Sequence, residues 1–123
     1  MPERSRRGGR PASREKPSQA WFVDVLERLS PLGEVTSRAM FGGRGIYQRG
    51  RIFALAFRER LYFKVDVESE PEYLAAGMGP FRPSERQTLK SYYEVPQGVL
   101  GDPELLVSWA AEAIRAAQRS ARR

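Results

Sequence analysis

Few residues in this sequence could do chemistry, and they are of few kinds. Among 123 residues there is no histidine and no cysteine. That removes disulfides, zinc fingers, thiolate nucleophiles and every histidine-based triad or metal site, and leaves lysine, tyrosine and carboxylate chemistry. Lys64, Tyr92, Tyr93 and Glu94 would make an acid–base cluster if the strand carrying the tyrosines paired beside the strand carrying the lysine. Successive strand residues point to opposite faces, however, so only one of Tyr92 and Tyr93 can face a given pocket. A cross-strand Lys64–Glu94 pair beside an aromatic ring is equally ordinary sheet chemistry. Asp66, Glu68, Glu70 and Glu72 alternate as in a calcium loop, but the central glycine is missing and Pro71 interrupts the run. Acidic residues at a helix N-terminus complement its dipole without any metal. These residues predict neither catalysis nor a metal or other cofactor.

Binding is the better prospect. In Met40-Phe41-Gly42-Gly43-Arg44-Gly45, successive glycines would let backbone N–H groups curve around an anion, with Arg38, Arg44, Arg49 and Arg51 adding charge. A phosphate-cradling loop normally opens into a helix, and here a strand follows; the same glycines also serve a bulged turn that needs positive φ. Tyr47, Phe53, Phe57, Tyr62, Phe63 and Tyr92 interleave with arginines, as in sheets that stack single-stranded bases, yet a helix-covered sheet needs most of them for its core. The net charge is +6 and the pI about 10.2, but the excess is terminal. Residues 1–19 carry +4, residues 115–123 carry +4, and residues 20–114 carry −2. Arg4, Arg6, Arg7, Arg10, Arg119, Arg122 and Arg123 are therefore the candidate phosphate contacts, although Arg115 and Arg119 also complement the end of a helix.

The elements that must position these residues follow from periodicity. Residues 1–19 hold almost nothing that can be buried and predict a mobile basic tail. It has no apolar run of a secretory signal, and Glu3, Glu15 and its glycines and prolines fit a transit peptide poorly. No stretch of about 18 apolar residues occurs, so a cytoplasmic protein without membrane contact is expected. Trp21, Phe22, Val25, Leu26 and Leu29 form one stripe of a helix, with Ser18 as its N-cap and Ser30-Pro31 and Gly33 stopping it. Residues 34–41, 46–47, 52–57 and 61–65 read as strands, with turns at Gly42-Gly43, Gln48–Arg51 and Arg58–Arg60. Alternation in the middle strand puts Phe53, Leu55 and Phe57 on one bulky face and Ile52, Ala54 and Ala56 on the other. Ser69-Glu70-Pro71-Glu72 reads as a capping box opening a helix that ends at Gly77. Residues 80–88 read as irregular or weakly extended, and residues 89–95 as a strand. The last helix starts at Asp102-Pro103 and buries Leu105, Leu106, Trp109, Ala110, Ala113, Ile114 and Ala117. The order is one helix, four strands, a helix, one or two strands, and a helix. Turns this short force antiparallel pairing, so the fold class is two-layer α+β with helices mainly on one face of the sheet. The folded domain spans 20–117, and 118–123 is a basic end. An exposed edge strand, 35–41 or the last one, could pair across a homodimer axis.

Six blocks carry a resemblance: Arg38–Tyr47, Phe53-Ala54-Leu55, Leu61–Asp66, Gly79-Pro80-Phe81, Ser91–Pro96 and Trp109-Ala110. In order and spacing they resemble the N-terminal domain of the TfoX/Sxy competence regulators, over roughly residues 20 to 117. The resemblance implies an α+β domain with an antiparallel sheet in a bacterial, cytoplasmic protein connected with natural transformation. TfoX-like regulators carry a second, helical domain, which is not matched here, and the family supplies no catalytic residues. The resemblance singles out Arg38, Met40, Phe41, Gly42, Gly43, Arg44, Gly45 and Tyr47 as the candidate functional surface. The expected function is a non-catalytic regulatory or adaptor domain that binds a protein partner; the alternative is non-specific nucleic-acid binding through the basic ends.

Overall fold

A computed structural model describes residues 17–40 and 42–122. Arg4, Arg6, Arg7, Arg10, Phe41, Arg123 and most of the expected tail lie outside them. Helix α1 spans Pro17–Arg28. Residues 17–19, assigned above to the tail, are therefore helical, and Ser18 lies within the first turn instead of capping it; proline suits that first turn because its missing N–H would have no partner there. A 3₁₀ turn, Ser30–Leu32, leads into strands β1 (Val35–Met40), β2 (Gly43–Gln48), β3 (Arg51–Phe57) and β4 (Arg60–Lys64). Helix α2 (Glu70–Ala75), strands β5 (Pro80–Ser84) and β6 (Gln87–Glu94), and helices α3 (Gln97–Leu100) and α4 (Pro103–Ala121) complete the chain. All six strands form one antiparallel sheet in the order β1-β2-β3-β4-β6-β5. The fold is α+β, with two strands where one or two were expected after α2 and one short helix, α3, more than the periodicity showed.

Every helix contributes to the same core. Phe22 and Val25 from α1, Leu29 just past its end, Tyr73 from α2, Val99 from α3 and Leu106, Ala110, Ala113 and Ala117 from α4 pack on Ile46, Phe53, Leu61, Phe63, Tyr93 and Val95 of the sheet and its margins. Helix α4 opens as its sequence demands, with Asp102 Oδ1 accepting from the backbone N–H groups of Glu104 and Leu105 at 3.0 and 3.1 Å. Its stripe is rotated slightly from expectation, because Leu105 stays 44% exposed while Ala116 is fully buried.

The sheet curls. Phe57 on β3 and Phe81 on β5 are three strand spacings apart, about 14 Å in a flat sheet, yet their ring centroids lie 5.3 Å apart. The β5–β6 hairpin has folded over the helix-free face, closing a second cluster of Leu55, Tyr62, Phe81 and Tyr92. The expected division of β3 is corrected by a bulge. Ile46 pairs with Ala54 and Tyr47 with Ile52, so Phe53 is an extra residue and points to the same side as Ala54. Phe53 thereby joins Ala54 and Ala56 in the helix-side core, and Ile52 joins Leu55 and Phe57 on the other face. Among the described residues no helix is long and apolar enough to cross a membrane.

Candidate functional site

The reactive side chains of the sequence engage one another across the fold. Arg119 on α4 meets Asp66, just past β4, with Nε–Oδ2 2.6 Å and Nη2–Oδ1 3.0 Å. It also reaches Glu112 Oε2 at 2.7 Å, while Arg115 donates to Glu112 Oε1 at 2.9 Å. The Asp66 side chain is only 3% exposed, and its Oδ1 also accepts the backbone N–H groups of Glu68 and Ser69. The Arg119 hydrogen bonds, outweighing burial, hold the Asp66 carboxyl well below the usual carboxylate range. Ser69 does not cap α2 as expected; its hydroxyl accepts the Asp66 N–H and donates to Oδ1. Glu70 instead accepts the Tyr93 hydroxyl at 2.5 Å, and that bond raises the tyrosine pKa, with burial adding to it. Asp66 and Glu68 thus share Arg119, whose Nε lies 3.4 Å from Glu68 Oε2, while Glu70 serves Tyr93, and among the described residues no group of acidic side chains could hold a metal ion.

Lys64, Tyr92, Tyr93 and Glu94 do not assemble. Tyr93 faces the helices and Tyr92 the second cluster. Lys64 is opposite Tyr92 with Nζ 5.2 Å from the ring centroid, and Glu94 pairs with Arg60 rather than with the lysine. Burial lowers the Lys64 pKa and pushes Tyr92 up to about 12, with neighbouring Tyr47 adding to the latter shift. The expected stacking aromatics are also distributed: Phe53 and Phe63 are fully buried under the helices, and Tyr62 and Tyr92 lie in the second cluster. Among the basic residues nominated for phosphate, Arg119 is committed to carboxylates and Arg122 is exposed.

The glycine-rich segment divides between two faces. Arg44 turns toward α1, its guanidinium 5.0 Å above the Phe22 ring, whereas Arg38 crosses the Tyr47 ring at 5.4 Å. A Cβ on Gly45 would touch Met40, Ile52 and Tyr47, which places its open side with those residues. Gly42 has φ +78°, and a Cβ on Gly43 would overlap the Ala56 carbonyl oxygen. Both glycines are therefore demanded by the hairpin itself. From Gly43 onward the chain is paired with β1, and from Arg44 with β3 as well, so its backbone follows two ladders instead of a phosphate-cradling curve.

On the α1 side lies a cleft of about 740 Å³. Trp21, Phe22, Val23 and Leu26 of α1 form one wall. Ser37, Ala39, Met40, Gly42, Gly43 and Arg44 form the floor and one rim, and Ala56 to Glu59 form the other. Arg38, Gly45 and Tyr47 are not among its lining. The sequence reading omitted the α1 wall and Arg58, although one signal was present: Val23 lies off the buried stripe and is 51% exposed.

A helix layer on one face of a curled antiparallel sheet, with an apolar cleft beside its first strand, defines a small two-layer α+β domain. The chain belongs to the family described as the TfoX N-terminal domain, whose model matches residues 27–117. Comparison with curated proteins gives no match.

Proposed function

We propose that this domain is a non-catalytic regulatory or adaptor module that acts through protein contacts at the outer edge of β1, which no strand pairs with among the described residues. The observation that carries the reading is the register of that strand. Arg49 N–H donates to Glu34 O at 3.1 Å, and alternation along the β1–β2 pairs then directs the N–H groups of Thr36, Arg38 and Met40 inward. Those of Val35, Ser37 and Ala39 point away from the sheet, where an added strand would meet them. The opposite edge, β5, carries Pro80 and Pro83, which lack N–H donors and blunt it. Family membership extends the reading to a cytoplasmic role in regulating natural transformation.

The test is an Ala39→Pro substitution, which removes an outward donor while leaving the inward ladder intact. The full-length chain should capture a partner, or a second copy of itself, and A39P should lose it with little change in melting temperature. Equal capture by both, or capture no better than by a peptide of residues 1–19, sinks the reading. Nucleic-acid binding by the charged ends is the second reading, favoured by the +4 at each terminus. It would be non-specific and fall steeply with salt; a chain of residues 20–114 that bound DNA undiminished would exclude it.

A further inference from the structure

The cleft beside α1 has a composition that the edge-strand reading does not use. Its floor is built from small residues, Ala39, Gly42, Gly43 and Ala56, so the sheet backbone lies open to a ligand. Its volume, about 740 Å³, falls in the range of small-molecule sites. Two arginines line it, each resting on an aromatic ring at 5.0 Å: Arg44 on Phe22 of the α1 wall, and Arg58 on Phe57, whose ring packs with Phe81 in the second cluster. Stacking holds a guanidinium in place while leaving its in-plane donors free. Arg44 uses one donor on the Ser37 hydroxyl at 3.1 Å. Among the described residues neither arginine reaches a carboxylate, whereas Arg28, Arg49, Arg60, Arg115 and Arg119 all do. Arg58 is held there by an uncommon backbone, for it and Glu59 have φ values of +53° and +60° without being glycine. A two-residue hairpin turn of this kind requires positive φ at both positions, and this one sets Arg58 at the rim of the cleft. Glu59 on the same rim disfavours ligands of high negative charge, which leaves a monoanion.

We propose that this cleft binds a small apolar monocarboxylate, with its hydrocarbon body between Trp21, Val23 and Ala39 and its carboxylate at Arg44 and Arg58. Such a ligand matches an apolar trough that ends in cationic donors with no carboxylate partner among the described residues, and the paired N–H groups of a guanidinium suit a carboxylate's two oxygens.

The probe is 4-phenylbutyrate, titrated into the full chain beside its neutral amide and beside acetate, followed by tryptophan fluorescence and amide NMR shifts. Saturable binding should perturb Trp21, Val23 and Gly43 and leave Trp109 unmoved. The amide should bind at least about tenfold more weakly, and acetate not at all. The double variant R44Q/R58Q should bring phenylbutyrate down to the amide's affinity without changing that of the amide. Val35→Pro, which removes another outward donor of β1 and lies outside the cleft lining, should bind the probe normally, so failure of the edge-strand reading is separable from failure of this one. No saturation at low millimolar concentration, equal affinity for acid and amide, or shifts centred on Arg51 or Arg122 would each overturn the assignment.

Discussion

Arg119 and Arg44 both lie on the helix-covered side of one sheet, and their circumstances are opposite. Arg119 donates to two carboxylates, one nearly buried, and is itself 21% exposed. Arg44 is exposed, makes one hydroxyl contact and rests on a ring. A charge removed from water must be matched, so Asp66 without Arg119 would be left as a buried anion supported only by hydroxyl and backbone donors. A charge at the mouth of an apolar cleft bears no such demand and is free for a ligand. The contrast assigns the first region to stability and leaves the second available for recognition.

The largest expected effect breaks the first region. Arg119→Met should lower stability by about 2–4 kcal/mol, read as a fall in the urea midpoint at unchanged slope. Arg44→Gln should stay within about 0.5 kcal/mol of the parent. Equal losses would abolish the distinction. The same pair supplies a pH signature. Because Asp66 titrates below its ordinary value of 3.8 in the folded state, its contribution is complete above that value and fades as pH falls below it. Stability of the parent should therefore drop steeply on acidification from about pH 5, and D66N should start lower and show a shallower acid limb. An unchanged limb in D66N would show that other carboxylates govern it.

A second, smaller effect concerns the cleft floor. Gly43→Ala should cost about 1–3 kcal/mol, because the added methyl meets the Ala56 carbonyl and lies 3.2 Å from the Phe57 Cα. Gly79→Ala, where a Cβ meets nothing within 4 Å, should be neutral or slightly stabilising. Thermal unfolding of the two single variants decides it. A harmless Gly43→Ala would mean the turn has slack and that its glycines serve something other than the hairpin.

What the sequence revealed depended on how local each cause was. Helix α4 was legible because its stripe and its Asp102 cap lie within a few residues of each other. The end of α2 was legible because Gly77 takes φ +78° there. Strand β5 was legible only as an irregular or weakly extended stretch: its two prolines spoil the pattern, and pairing with β6 makes it a strand. The bulge at Phe53 was hidden by an alternation that is perfect on paper, since the extra residue is counted only against the partner strand. The Arg119–Asp66 contact joins positions 53 apart, and no local rule links a helix-end arginine to one carboxylate among four. The Arg38–Tyr47 motif was found, but treating it as one surface overlooked the alternation that sends Arg38 and Arg44 to opposite faces. Half of the cleft, on α1 and the β3–β4 turn, came from segments read only for their packing.

The smallest effect is the most informative about the cleft. Arg58 and Glu59 form a two-residue hairpin in which both residues have positive φ, a geometry that asparagine followed by glycine would adopt with less strain. Glu59→Gly should therefore stabilise the chain by about 0.5–1 kcal/mol, measurable as a small rise in melting temperature. If the strained turn serves only to connect β3 and β4, nothing else should change. If it holds Arg58 over Phe57 at the cleft mouth, the relaxed turn should weaken phenylbutyrate binding while leaving the amide's affinity unaltered, even though the removed carboxylate had opposed the anion. A more stable protein with a poorer anion site would show that the strain belongs to recognition. A more stable protein with tighter anion binding would show instead that Glu59 acts only through its charge.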